Sequence, residues 1–230
     1  MNIGSIFNII FYKPLFGALL WLSKNLPGND LGIAIIILTC AIRLLIYPLN
    51  TKSIQSQKAL QRLQPKIQEI QSKFKDDKEK QGKAIMELYR QEKINPFSGC
   101  LPMLIQLPIL MALFLVFKDF ASNLDARPMF LGLIPLTEPS KILAFLAGIT
   151  QFIQVKMVSP KNKPGKDKSD FSQIMQKEML YLFPLITVVF LWKLPSAIGI
   201  YWLTTNLFSI IQQYLIFKPQ NGHQSGDSKN

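Results

Sequence analysis

A chain of 230 residues would hold one domain, or two at most, if it were soluble. Its composition argues otherwise: 49% of residues are hydrophobic, yet 26 Lys+Arg stand against 14 Asp+Glu, for a net charge of +12. Long uncharged runs alternate with basic segments, the pattern of a polytopic membrane protein, whereas a basic nucleic-acid module carries its charge on a water-compatible fold.

Residues 1–29 precede the first long apolar run. Ile3, Ile6, Phe7, Ile10 and Phe11 fall at helical spacing, Lys13 and Pro14 interrupt, and Leu15 to Leu22 is apolar again around Trp21. With no Lys or Arg before Lys13, a cleaved signal peptide fits poorly. The stretch reads as an amphipathic helix in the membrane interface, with Trp21 at headgroup level; a further full span is the alternative that Lys13 and Pro14 oppose. Leu26 to Asp30 is a turn, with Asn29 or Asp30 capping the next helix.

Leu31 to Leu49 is nineteen residues with one charge, Arg43. That length crosses a bilayer core of about 30 Å as a helix, so 30–50 is expected to be the first span. An arginine there costs roughly 2.5–3.5 kcal/mol on insertion scales. Arg43 either snorkels to the inner headgroups or faces a wet cavity within a helix bundle. None of the expected spans contains Asp or Glu to pair with it, so in a cavity it would act as a receptor for an acidic group.

Residues 51–94 turn polar, with eleven Lys/Arg and six Asp/Glu between Lys52 and Lys93. Leu60, Leu63, Ile67, Ile70 and Phe74 form a narrow seam of 3,4 spacing, and Ile85, Leu88 and Tyr89 offer a matching face. The segment is expected to be an antiparallel cytoplasmic helical hairpin, with its tip at Asp76 through Gly82 and Pro65 an awkward interruption of its first arm. A solvated loop with no partner is the alternative.

Residues 95–218 hold four further expected spans. Asn95 and Pro96 start the second, Pro96 to Phe117, which contains Gln106, Pro102 and Pro108. A mixed loop, Lys118 to Lys141, leads to the third, Ile142 to Val158, whose polar second half includes Thr150, Gln151 and Gln154. Ser159 to Asp170 is a basic loop. Met179 to Trp192, only fourteen uncharged residues, is read as the fourth span, and Leu194 to Phe217 as the fifth. Tyr201, Trp202, Thr204, Thr205 and Asn206 make the last helix unusually polar for a span, and Gln106, Gln151, Gln154, Tyr201, Trp202 and Asn206 are candidate companions of Arg43. Residues 219–230 read as a disordered tail.

The loops 49–95 and 156–178 carry eleven and six Lys/Arg, against two, three and one in the other flanking segments. The positive-inside rule then places both basic loops and the C-terminus in the cytoplasm and the N-terminus outside. Cys40 and Cys100, sixty residues apart, have neither metal nor disulfide spacing and read as packing residues. The one histidine, His223, lies in the tail; with no paired intramembrane carboxylates, nucleophile motif or phosphate loop, no enzyme and no cofactor are expected. Against a transporter, the five expected spans show no paired internal repeat and no intramembrane carboxylate to carry a proton or sodium.

Four blocks carry a family resemblance: Ala41 to Leu49 (AIRLLIYPL), Gln57 to Ile70 (QKALQRLQPKIQEI), Asn95 to Leu110 (NPFSGCLPMLIQLPIL) and Gly199 to Asn206 (GIYWLTTN). They resemble the YidC/Oxa/Alb membrane protein insertases over nearly the whole chain, about Phe7 to Phe217, and Pro65 belongs to that pattern. The resemblance implies an all-α membrane protein: a five-transmembrane-helix bundle around a hydrophilic groove open to the cytoplasm and lipid, with a mobile cytoplasmic hairpin. By that resemblance the groove residues are Arg43, Gln154 on the third span and Trp202 on the last. The implied function is insertion and chaperoning of nascent membrane proteins in the bacterial plasma (inner) membrane, driven by burial of apolar segments without a nucleotide. Its partners would be nascent membrane proteins and the lipid bilayer, with the ribosome and a Sec translocon as further candidates and no specific nucleic acid sequence. Lacking the extracytoplasmic domain, lipobox and long basic tail of other family variants, the chain resembles a minimal bacterial form, leaving ribosome contact to the hairpin and loop 159–170. An assembly scaffold without translocation activity, or a small-solute channel, are the alternatives.

Overall fold

The computed structural model describes residues 3–95, 98, 101–123, 128–159 and 178–217. The basic loop beyond Ser159, the tail 219–230, Pro96 and Cys100 lie outside them. Its helices are α1 (Ile3–Phe7), α2 (Lys13–Asn25), α3 (Leu31–Leu45), α4 (Tyr47–Lys73), α5 (Lys78–Gln91), α6 (Leu101–Asn123), α7 (Lys141–Val158), α8 (Phe183–Leu191) and α9 (Ser196–Phe217). Two short strands, β1 (Met129–Phe130) and β2 (Ile134–Pro135), pair antiparallel between α6 and α7.

The last helix is the centre. α9 packs against α3, α4, α6, α7 and α8, and Ala197, Ile198, Ile200 and Tyr201 are buried among Ile35, Leu38, Leu113, Val116, Leu143 and Ala147. The opposite faces of the outer helices stay apolar and exposed, as at Ile142, Phe145 and Leu185. That is the surface of a bundle whose solvent is lipid.

The first span differs from its expected form. α3 ends at Leu45, and the chain bends by 66° into α4, so Tyr47, Pro48 and Leu49 open the hairpin arm rather than close the span. Pro48 supplies the reason: it has no N–H, its ring would clash with the carbonyl of Leu44, and it is well tolerated only in the first turn of a new helix. The hairpin also differs in detail. α4 runs unbroken through exposed Pro65, and the tip is only Phe74 to Asp77, with Gly82 inside α5. Leu63 and Ile67 bury against the returning arm, and Gln81 donates to the Gln71 carbonyl at 3.1 Å across the tip. Asp77 caps α5 by accepting from the Lys80 N–H, which holds its carboxyl below the usual carboxylate range.

Lys13 and Pro14 do not break the N-terminal segment. A π-helical turn, Asn8–Tyr12, joins α1 to α2, and Gly4–Asn25 is continuous and apolar enough to cross a membrane by length and composition. α2 packs against α3 and α6. Arg43 meets Gln106; Leu31 lies twelve residues before Arg43, and Asp119 thirteen after Gln106 on the antiparallel α6. Both are therefore about 18–20 Å along their helices toward the same end. Tyr12 hydrogen-bonds Asp119, and the turn at Gly28 and Asn29 delivers the chain to Leu31. Leu19, midway between these attachments, is fully buried.

By length and composition the described residues contain two continuous helices able to cross a membrane, Gly4–Asn25 and Lys141–Val158, with the bent α3–α4 pair as a third. Glu178–Leu191 is a shorter apolar helix. α7 and α8 touch closely at Gly148, where an added Cβ would lie 2.3 Å from Val188 Cγ2. We expect Gly148→Ile to separate the two helices and destabilise the bundle by about 1–3 kcal/mol, the cost of overpacking, measured as earlier thermal unfolding in detergent. At the hairpin tip, Asp77 stabilises α5 while ionised. Because its folded pKa is depressed, that contribution is present above the ordinary carboxylate value and is lost as pH falls through the folded value. Amide exchange in the first turn of α5 should then be faster in Asp77→Asn than in the wild-type protein at neutral pH, and the two proteins should converge in acid.

A buried polar seam around Arg43

Arg43 lies in the last turn of α3 and is 8% exposed. A snorkelling side chain would leave its guanidinium at the surface; this one is turned into the bundle. Its Nη2 donates to Gln106 Oε1 at 3.2 Å. The Gln106 amide nitrogen donates in turn to the hydroxyl of Tyr201, which is buried on α9. Three helices thus meet through one cation, one amide and one phenol. Among the described residues Gln106 is the only hydrogen-bond partner of Arg43, and no carboxylate pairs with it. A guanidinium has five N–H donors, and Gln106 takes up one of them.

A second polar contact lies between α7 and α9. Trp202 Nε1 donates to Gln151 Oε1 at 2.9 Å, and Asn206 Nδ2 donates to the Ala147 carbonyl at 3.0 Å and to Thr150 Oγ1 at 3.2 Å. Gln151 and Asn206 are buried; Trp202 is half-buried. Gln154, one turn further along α7, is half-buried and takes part in none of these bonds. The structure therefore brings together Arg43, Gln106 and Tyr201 as one group, and Gln151, Trp202 and Asn206 as another, with Gln154 beside them.

The seam continues toward the hairpin through residues that the sequence reading passed over. Ser209, Gln212 and Gln213 are buried on α9 below Thr205 and Asn206. Gln212 Nε2 donates to the Tyr47 carbonyl at 3.1 Å and to Thr51 Oγ1 at 3.0 Å, just past the bend. Ser53 Oγ donates to the Ser98 carbonyl at 2.7 Å. On the same arm, Lys58 Nζ reaches the Ile216 carbonyl at 3.3 Å and Gln61 the Val158 carbonyl, near the C-terminal ends of α9 and α7. The signal was present: Thr205, Asn206, Ser209, Gln212 and Gln213 recur at three- and four-residue spacing, a polar stripe on an apolar helix.

Chemically, the seam offers one positive charge and a line of neutral donors and acceptors. A carboxylate about 4 Å from Arg43 would gain a Coulomb term of about 4 kcal/mol at an effective dielectric of about 20, before desolvation. Among the described residues no group of three or more His, Cys, Asp or Glu could hold a metal ion.

Comparison with known proteins gives a consistent picture. Residues 21–223 match the family model described as 60Kd inner membrane protein. The chain is 37% identical over 213 residues to a membrane protein insertase YidC of Fusobacterium nucleatum, covering 93% of this chain and 97% of that relative. It is 39% identical over 193 residues to the YidC of Francisella tularensis subsp. novicida, covering 84% of this chain but 33% of that one. In three dimensions it is similar to a crystal structure of an active YidC insertase with its first transmembrane domain resolved. The TM-score is 0.65 at 28% identity, over 92% of this chain and 46% of the other.

The Trp202–Gln151 bond permits a direct test of the seam. Trp202→Phe leaves the buried Gln151 oxygen without its donor, which should cost about 1–3 kcal/mol. Adding Gln151→Met should restore part of that loss, so a double-mutant cycle on detergent unfolding should give a coupling of at least about 0.5 kcal/mol.

Proposed function

This chain belongs to the 60Kd inner membrane protein family, and we propose that it acts as a membrane protein insertase and chaperone in the bacterial inner membrane. The observation that carries the reading is Arg43: a buried cation held by a neutral amide, with no carboxylate paired to it among the described residues. A structural arginine would be matched by an acid, because an unmatched buried charge is costly. This one is hydrogen-bonded but electrostatically unsatisfied.

In this mechanism a short hydrophilic segment of a nascent protein enters the polar seam from the hairpin side. Its carboxylate exchanges with Gln106 Oε1 on the Arg43 guanidinium, a charge-assisted bond replacing a neutral one. The seam residues Gln151, Gln154, Trp202 and Asn206 offer polar contacts along the way and shorten the apolar thickness to be crossed. The adjoining apolar segment moves into lipid beside α7 and α9. Its burial, at roughly 25 cal/mol per Å², drives the step without a cofactor.

The same reading gives the chain five spans, α3, α6, α7, the Glu178–Leu191 helix and α9, with the N-terminus outside and the C-terminus in the cytoplasm. The basic loops support that orientation, and α2 then lies in the outer interface. The hairpin arm, tied by Lys58, Gln61 and Gln212 to the inner ends of α7 and α9, stands at the seam's cytoplasmic entrance. Nascent chains and lipid are the partners, with the ribosome and a Sec translocon meeting the hairpin side.

The test is insertion into liposomes containing only this protein. One single-span substrate carries an acidic external tail; a second has its tail carboxylates replaced by amides. Arg43→Ala should slow insertion of the acidic substrate about tenfold, the equivalent of about 1.4 kcal/mol, and Arg43→Lys should restore most of it. Equal rates for all three proteins would sink the charge-receptor reading. Gln106→Glu should behave like Arg43→Ala toward the acidic tail, because a carboxylate within the seam neutralises the receptor, while the amide tail is inserted normally by every variant.

A further inference from the structure

The loop between α6 and α7 contains a structured element with no place in the mechanism above. Residues 128–136, Pro-Met-Phe-Leu-Gly-Leu-Ile-Pro-Leu, carry no charge. They fold as a hairpin: Met129 pairs with Pro135 and Phe130 with Ile134, and the Leu136 N–H donates to the Pro128 carbonyl at 2.9 Å. Its two turn residues, Leu131 at φ +52° and Gly132 at φ +67°, both have left-handed backbone. Tight hairpin turns with two such residues favour Asn-Gly or Asp-Gly. Here a leucine holds the first position, where a non-glycine residue is strained.

The hairpin is clamped at both sides. Asp30 Oδ2 accepts from the Leu131 N–H at 2.6 Å while its Oδ1 caps α3 at Ile33. The Phe130 ring covers Gly32 so closely that a Cβ there would lie 2.3 Å from it. Beyond β2, the Leu136 and Glu138 carbonyls accept from the Ala197 and Ser196 N–H groups at 3.1 and 2.8 Å, filling orphan donors at the start of α9. So held, the tip cannot turn its side chains inward. Leu131 is 58% and Leu133 79% exposed, and Met129 is also exposed.

We infer that this tip is a lipid anchor, and that Leu131 and Leu133 insert among the glycerol and acyl regions of the outer leaflet. Three observations favour lipid over another occupant. The clamp points sit at the first residues of α3 and α9, the end of the bundle where the spans begin. The start of α7 at that end, Ile142 and Phe145, is exposed and apolar in the same way. Interface markers lie there too: Lys141 Nζ stands 5.4 Å from the ring centre of Trp192, a cation–π pair of the kind found at headgroup level. Rigid presentation of uncharged leucines at that level fits a disordered apolar solvent, which needs no complementary shape. It would hold the outer ends of α3 and α9 at a fixed depth.

The test uses the full chain in phosphatidylethanolamine–phosphatidylglycerol vesicles, with Cys40→Ala and Cys100→Ser as background. A nitroxide is placed by Leu131→Cys, Leu133→Cys, Leu146→Cys on the exposed face of α7, or Glu79→Cys on the hairpin arm as a water reference. Power saturation then compares oxygen with a water-soluble nickel chelate. Labels at 131 and 133 should be several-fold more accessible to oxygen than to the chelate, as at 146 and opposite to 79. Chelate access at 133 matching that at 79 would place the tip in water and overturn the inference. Exclusion of both reagents, or dipolar broadening between labels, would place it against protein or a second copy and overturn it equally. Because insertion activity is not read, the outcome is independent of the insertase mechanism.

Discussion

A positive charge with no acid paired to it among the described residues shapes this bundle. A cation cut off from water is tolerated only if its donors find acceptors. Here the acceptor is an amide on α6, oriented by a phenol on α9. That requirement brings three helices together at one depth and explains why the central helix carries its polar residues inward. The outer faces are rich in leucine and isoleucine, while the interior combines apolar residues such as Ile35 and Ile198 with buried Tyr201, Asn206, Ser209, Gln212 and Gln213. Neutral partners hold the geometry of Arg43 without cancelling its field, which is what the proposed receptor role requires.

The two ends of the bundle are closed by the chain's own polar groups. A helix leaves four donors and four acceptors unpaired at its termini, and near a membrane each one left unpaired is expensive. At one end, Lys58 and Gln61 of the hairpin arm reach carbonyls near the ends of α9 and α7, and Gln212 takes up a carbonyl beside the bend. At the other, Asp30 and the backbone of 136–138 cap α3 and α9. The connecting segments therefore do more than link the helices. The hairpin arm is fastened to the helices that form the seam, and the short β-hairpin couples the starts of α3 and α9.

The matched region sets these features in a wider family. The Fusobacterium relative is almost coextensive with this chain, whereas the Francisella relative is three times longer than the part matched. Arg43, Gln106, Gln151, Gln154, Tyr201, Trp202 and Asn206 all fall within residues 21–223, the segment common to the family model. The seam is thus contained in the portion that long and short members share.

Much of this was legible along the chain. Hydropathy located the apolar helices, because burial in lipid demands long uncharged runs whatever they pack against. The 3,4 spacing from Leu60 to Phe74 marked the hairpin seam, and Arg43 stood out because charges within spans are rare. Local sequence could not say how each side chain was partnered. Gln151 and Gln154 share one helix face, and only the approach of α9 decided that Trp202 bonds Gln151. The bend after Leu45 turned on whether Pro48 closes a helix or opens one, which its neighbours in space settle. The β-hairpin at 128–136 lies within the expected mixed loop Lys118 to Lys141 and is not legible there, since strands of two residues have no periodicity and its turn lacks the usual Asn-Gly. Composition and spacing determined which segments form apolar helices and where the charge among them lies. Packing alone determined what that charge touches, because hydrogen bonds between residues 63 and 95 positions apart depend on the crossing of helices, not on any local preference.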